Sequence, residues 1–208
     1  RYADEALEEF FKYLKESGLY DNSVIVMYGD HYGVSENHMR AMSEVLGTEV
    51  GEFENGQLQR VPLFIHVPGV EGGVKHQYGG QIDLRPTLLH LLGVDTSEYV
   101  QFGTDLLSKD HNEIVPFRNG DFVTPDFSSF KGVYYDTKTG EVVKPTEEMT
   151  KAKEFVEMKL NLSDKVVNGD LLRFYEPEGF VPVDPNDYDY TYKEEEQTNT
   201  PSSNKESK

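Results

Sequence analysis

Apolar residues at Ala3, Ala6, Leu7, Phe10, Phe11 and Leu14 recur every three or four positions, which predicts an amphipathic helix over 3–17 packed on a sheet face, with Gly18 to stop it. The period then changes. Val24, Ile25, Val26 and Met27 follow one another without a polar break, as in a strand covered on both faces. Ser35 is placed to cap a helix reaching Leu46, with Met39, Met42, Val45 and Leu46 on its inner side. Residues 48–59 are polar and contain glycine, and they read as a surface loop, the segment expected to move over the strand's end. A second apolar run, Val61 to Val67, is bounded by Pro62 and Pro68 and predicts the next strand. Asp83 then stands as an N-cap before Pro86, Leu88, Leu89, Leu91 and Leu92, the pattern of a buried helix.

Beyond Leu107 the apolar runs shorten. Residues 113–118 and 120–123 are candidate strands, and 132–144 read as a hairpin turning at Thr137-Lys138-Thr139-Gly140. Together they predict a small antiparallel sheet. Thr146 to Leu160 has a helical stripe (Met149, Ala152, Phe155, Val156, Leu160), and Ser163 to Leu172 reads as a second, shorter helix. From Lys193 onward polar residues dominate with no apolar anchor, as in a disordered tail. The expected architecture is α/β: a central, mostly parallel sheet flanked by helices over 1–107, a small antiparallel sheet with helices over 108–192, and a tail over 193–208.

Charge narrows the partners. With 38 acidic and 20 basic residues the formal net charge is −18, which argues against nucleic acid and against general adsorption to an anionic membrane surface. There are no cysteines, so no disulfide forms. No window approaches the length of an apolar span, and no basic-then-apolar leader opens the chain. The start at Arg1-Tyr2-Ala3, directly before a helix, suggests a fragment or a cleavage product.

The candidate chemistry lies where the first apolar run ends, at Tyr28-Gly29-Asp30-His31-Tyr32-Gly33. Parallel α/β sheets carry their ligands at the carboxyl ends of strands. A carboxylate beside an imidazole suits Mn²⁺, Zn²⁺ or iron. A second reading remains open, in which Asp30 caps the next element and His31 is simply polar. His38, in the first turn of the following helix, either hydrogen-bonds a phosphate or leaving-group oxygen or is satisfied by its own surroundings. Glu36 is an outer acid or an ordinary first-turn carboxylate. Arg118 with Asn119 either contacts a polyanionic substrate or forms a salt bridge. His66, His76 and His90 read as structural or peripheral.

Val26-Met27-Tyr28-Gly29-Asp30-His31-Tyr32-Gly33 resembles the strand and Asp-His-Gly segment of the alkaline phosphatase and sulfatase superfamily. Val61-Pro62-Leu63-Phe64-Ile65 and Asp83-Leu84-Arg85-Pro86-Thr87-Leu88-Leu89 are similar to two further segments of it, in the same order. Within the superfamily, the stretches Gly18-Leu19-Tyr20-Asp21-Asn22-Ser23, Ser35-Glu36-Asn37-His38, Phe102-Gly103-Thr104-Asp105-Leu106, Val115-Pro116-Phe117-Arg118-Asn119-Gly120-Asp121 and Asn168-Gly169-Asp170-Leu171-Leu172-Arg173-Phe174-Tyr175 resemble the lipoteichoic acid synthases.

The resemblance implies that the chain is the C-terminal part of an extracellular catalytic domain, anchored to the membrane of a Gram-positive bacterium by a segment outside it or released by cleavage. It implies Asp30 and His31 as ligands of Mn²⁺, with Mg²⁺ or Zn²⁺ as alternatives, and His38 as a substrate contact. It further implies transfer of glycerol phosphate from phosphatidylglycerol to a glycolipid-anchored polyglycerolphosphate chain. The threonine nucleophile would come from the N-terminal part of the same enzyme, because no Thr here follows a strand in the required context. A sulfatase-like hydrolase or phosphodiesterase and a non-catalytic cell-envelope binding module are the competing readings.

Overall fold

The computed structural model describes residues 2–176, 178–181, 184 and 186. The chain divides into two units, Arg1–Tyr175 and Glu176–Lys208. The tail expected over 193–208, with residues 187–192 before it, lies outside the described residues.

The first unit opens with helix α1 (Tyr2–Glu16) and strand β1 (Ile25–Tyr28), followed by a 3₁₀ turn (Glu36–His38), α2 (Met39–Leu46), α3 (Glu52–Gln57) and β2 (Leu63–His66). Helix α4 (Leu84–Leu91) precedes β3 (Val115–Pro116), β4 (Phe122–Val123), β5 (Phe127–Phe130) and β6 (Val133–Asp136), and α5 (Glu147–Asn168) follows. The mixed α/β class is as the sequence predicts. Its central sheet differs from the expected parallel one, because β1 and β2 pair antiparallel, with Ile25 opposite His66 and Tyr28 opposite Leu63. The intervening chain returns to the carboxyl end of β1 instead of crossing to its amino end. No parallel pairing occurs among the described residues.

Two strands cannot bury themselves. β1 is half-buried rather than covered on both faces, and Phe64 of β2 is 60% exposed. Helix α1 seats only Leu14 and part of Phe11, leaving Leu7 and Phe10 exposed, while Val45 and Leu46 of α2 also face outward. These side chains leave apolar area in solvent.

The segment expected to be a surface loop over 48–59 is ordered instead. The Glu54 carboxylate accepts the Gly51 N–H at 2.9 Å, which holds the start of α3. Val50 is buried with its N–H on Ser43 Oγ at 3.0 Å, and Gly56 lies against the Phe130 ring. Polar composition concealed a helix whose small buried residues, Asn55 and Gly56, form its packed face.

The second sheet runs β3-β4-β5-β6, all antiparallel. Strand β5 escapes the hydrophobic pattern because its centre is Ser128-Ser129, and both serines are buried. β5 and β6 join through Lys131 and Gly132, both at positive φ (49° and 82°), the two-residue turn whose twist matches a hairpin. Lysine is strained there, and its groups are tied down. Its N–H donates to Asp121 at 2.8 Å, and its ammonium meets Glu52 at 2.9 Å and Glu36 at 3.7 Å. The Glu52 hydrogen bond is the main reason that the Lys131 pKa lies above the ordinary lysine value.

Phe122, Phe127 and Tyr134 of this sheet pack on Met149, Ala152 and Val156 of α5, forming the main core. Helix α5 starts at Thr146, whose hydroxyl accepts the Met149 N–H at 3.3 Å. It continues unbroken through the point where two helices were expected, since neither Gly nor Pro occurs from 147 to 168.

Truncating the fully buried Phe122 to Ala should cost about 3–5 kcal/mol in a denaturant titration. The turn after β6 should respond to acid. The Thr139 N–H at 2.8 Å and the Lys138 N–H at 2.9 Å hold the Asp136 carboxylate below the usual carboxylate pKa. A lowered pKa stabilises the turn above the unfolded value of about 3.9, and that contribution fades as pH falls through the folded value beneath it. The protection of the Thr139 amide, its exchange rate relative to the intrinsic rate at each pH, should therefore fall in that acid window and stay constant between pH 5 and 8.

Candidate metal centre

Strand β1 delivers the chain into a loop fixed at both ends. The Gly29 N–H donates to the Pro62 carbonyl at 3.1 Å, extending the β1–β2 ladder one residue beyond Tyr28. Its carbonyl accepts from Gln81 Nε2 at 2.5 Å. At the far end the Val34 carbonyl accepts from Gln59 Nε2 at 2.7 Å, and the same nitrogen lies 2.9 Å from the Asn55 carbonyl. Both glycines are required by close approach. A Cβ on Gly29 would sit 2.5 Å from Val61 Cβ, and one on Gly33 would collide with the Leu58 carbonyl oxygen. Tyr32 stacks on Phe117 at 6.5 Å between centroids and 11° between planes, which links the loop to the second sheet.

Between these anchors the side chains of Asp30 and His31 stand in solvent, 84% and 85% exposed. His31 Nδ1–H donates to the Tyr32 carbonyl at 2.8 Å, which assigns the proton to Nδ1 and leaves the Nε2 lone pair free. His31 Nε2 lies 3.8 Å from Asp30 Oδ1. Two ligand bonds of about 2.1 Å at a tetrahedral angle span about 3.4 Å, so a small rotamer adjustment lets both atoms share one ion. The donor set, one carboxylate and one neutral imidazole with its other nitrogen engaged, fits a divalent metal. It supplies two ligands. Among the described residues no group of three His, Cys, Asp or Glu side chains converges on such a site.

His38 ends the 3₁₀ turn that opens at Ser35, whose hydroxyl accepts the Asn37 N–H at 3.3 Å. It is exposed, and no hydrogen bond or ion pair among the described residues joins it to Asp30 or His31. Neighbouring Glu36 faces Lys131 at 3.7 Å. The other candidates have structural partners. His66 stacks on Tyr20 and bonds its carbonyl at 3.0 Å, His90 pairs with Asp105, and Arg118 pairs with Asp164 at 2.6 Å. His76 is exposed.

Asp83 does not cap its own helix. Its buried carboxylate accepts the Gly80 N–H at 2.8 Å and the Thr104 N–H at 2.7 Å, clamping two loops together. The Asp83 carbonyl takes the Thr87 hydroxyl at 2.6 Å, and Thr87 Oγ1 in turn accepts the Leu106 N–H at 2.9 Å. His111, which sequence reasoning did not single out, completes this layer, with Nε2–H donating to the Tyr78 carbonyl at 2.8 Å and Nδ1 accepting the Thr104 hydroxyl at 2.7 Å. Gln59 and Gln81 also escaped notice. A neutral amide carries no periodic or charge signal, and its partner is known only once the chain is folded.

A metal-type Asp-His pair on a glycine-flanked turn at the end of a strand is the feature that the resemblance assigned to the sulfatase superfamily. Residues 1–94, which contain it, match the Sulfatase family. Over nearly all its length the chain is homologous to lipoteichoic acid synthases. It is 54% identical to lipoteichoic acid synthase 2 of Bacillus subtilis (strain 168), over 99% of the chain and 32% of that protein. Identity to lipoteichoic acid synthase 1 of the same strain is 60%, over 94% of the chain and 30% of that protein. The Staphylococcus aureus (strain USA300) lipoteichoic acid synthase is 50% identical, over 91% of the chain and 30% of its own length. The chain thus spans about a third of the curated relatives that it matches. Among solved structures it is similar to the lipoteichoic acid synthase LtaP from Listeria monocytogenes, with a TM-score of 0.68 and 31% identity, covering 80% of this chain and 44% of that one.

Gly33→Ala should push the loop off the Leu58 carbonyl and cost about 1–3 kcal/mol, read as a lowered melting temperature. Val34→Ala, which keeps the backbone carbonyl used by Gln59, should cost less.

Proposed function

We propose that the chain is the C-terminal part of the extracellular catalytic domain of a membrane-anchored lipoteichoic acid synthase of a Gram-positive bacterium. The enzyme transfers glycerol phosphate from phosphatidylglycerol to a growing glycolipid-anchored polyglycerolphosphate chain. The observation that carries the reading is the Asp30–His31 turn, with its free His31 Nε2, in a chain homologous to lipoteichoic acid synthases from end to end.

Asp30 and His31 would hold Mn²⁺, with Mg²⁺ or Zn²⁺ as alternatives. When bound, such an ion polarises a phosphoryl oxygen and lowers the pKa of a nearby hydroxyl nucleophile. The Nδ1–H bond to the Tyr32 carbonyl keeps the imidazole ring oriented and leaves Nε2 as the nitrogen that would meet an ion. The exposed His38, in the turn opened by Ser35, would donate a hydrogen bond to an anionic head group. The threonine nucleophile and the remaining ligands come from the N-terminal part of the enzyme. Attack of that hydroxyl on the phosphate of phosphatidylglycerol releases diacylglycerol, and the glycerophosphoryl-threonine then passes its group to the terminal glycerol of the polymer. With a formal net charge of −18, the chain must attract these anionic substrates through the ion and a few local donors rather than through its overall field. Among the described residues no helix is long and apolar enough to cross a membrane.

In the complete extracellular domain, labelled phosphatidylglycerol should release diacylglycerol only when a divalent metal, Mn²⁺ or else Mg²⁺ or Zn²⁺, is present. Asp30→Ala should lower that rate by at least about a hundredfold. Full activity in Asp30→Ala, or none in the folded wild-type domain with any divalent metal, would exclude this reading in favour of a hydrolase or a binding module.

A further inference from the structure

The Asp30–His31 side chains make no contact with a packed core, so whatever orders them acts through the backbone of their loop. The Gly29 N–H is held by the β-ladder, but its carbonyl is held by a side chain from elsewhere in the chain. Gln81 reaches it at 2.5 Å across 52 residues of sequence. Gln81 is itself exposed, so the core does not need it. Its backbone, however, is held firmly. It opens the 3₁₀ turn Gln81–Asp83, which the buried Asp83 carboxylate ties to Gly80 and Thr104. At the loop's other end Gln59 Nε2 holds the Val34 carbonyl at 2.7 Å, from a helix end anchored to Asn55.

We propose that Gln81 is a positioning residue for the metal ligands, with Gln59 as its counterpart at the opposite end of the loop. The proposal rests on the reading of Asp30 and His31 as ligands. Two amides from different elements fix the first and last carbonyls of residues 29–34, and so set where Asp30 Oδ1 and His31 Nε2 are presented. Both are neutral donors, so the brace does not change with pH and adds no positive charge to compete with a cation. An exposed ligand pair gains affinity chiefly by losing little entropy on binding, and a brace of this kind supplies that preorganisation.

The test uses the complete enzyme, stripped of metal, as wild type, Gln81→Met, Gln59→Met and Asp30→Ala. Methionine keeps the length of glutamine and removes the N–H. Mn²⁺ is titrated calorimetrically, and hydrogen exchange is followed at residues 29–34 in the metal-free proteins. Gln81→Met should bind Mn²⁺ about tenfold more weakly and exchange faster across the loop, with a melting temperature within about 2 °C of wild type. Gln59→Met should show the same loop effect, with some added loss of stability through Asn55. Unchanged affinity and exchange in Gln81→Met, while Asp30→Ala loses Mn²⁺, would overturn the proposal and leave the ligand assignment standing. A general loss of stability in Gln81→Met, with exchange raised throughout the molecule, would also overturn it. If Asp30→Ala binds Mn²⁺ as wild type does, the ligand assignment fails, and the proposal fails with it.

Discussion

A buried carboxylate organises the middle of this chain. Asp83 is 4% exposed, and it is tolerated because its two oxygens accept backbone N–H groups from Gly80 and Thr104. Those bonds join the loop before α4 to the loop after it. They place Gln81 where its amide meets the Gly29 carbonyl and Thr104 where its hydroxyl meets His111. The start of α4, the Thr87–Leu106 contact and one anchor of the Asp30–His31 loop therefore share a single support. A cap bonded to its own helix would have tied down one turn only.

The two sheets contribute differently. The second closes on α5 and buries a continuous core of aromatic and aliphatic side chains. The first is two strands wide, and its apolar residues stay partly in solvent. Between them runs a chain of rings: Tyr32 on Phe117, Phe117 against Phe130, and Phe130 against Phe53 and Tyr135. Lys131, left-handed at the β5–β6 turn, adds ionic contacts to Glu52 of α3 and to Glu36 beside the ligand loop. The well-packed half of the unit thus steadies the half that carries the Asp30–His31 loop.

The Asp30–His31 turn has the character of part of a site. Asp30 Oδ1 and His31 Nε2 lie 3.8 Å apart, and His31 Nδ1–H donates to a backbone carbonyl. The arrangement matches a chain that spans about a third of its curated relatives and 44% of the LtaP structure.

Much of this was legible in the residues. Alternation of three and four placed α1, the apolar run placed β1, and Gly29 and Gly33 marked a sharp turn around the candidate ligands. Leu88 to Leu92 marked α4, and the short β-prone runs after Leu107 marked the second sheet. What the pattern missed follows a physical rule. α3 and β5 bury small or polar residues, Asn55, Gly56, Ser128 and Ser129, which hydrophobicity alone assigns to the surface. Thr146 to Leu160 and Ser163 to Leu172 were expected as two helices, but no Gly or Pro from 147 to 168 stops the single helix α5.

By itself the sequence determined the α/β class, the order of most elements, and the pairing of Asp30 with His31, because these depend on neighbours along the chain. The antiparallel sense of β1 and β2, the role of Asp83 as a clamp, and the glutamine contacts to the ligand loop were decided by tertiary structure alone. Each joins groups far apart in sequence, up to 52 residues for Gln81 and Gly29. A hydrogen bond of that kind has no local signature, since either partner is equally content with water until the fold brings the two together.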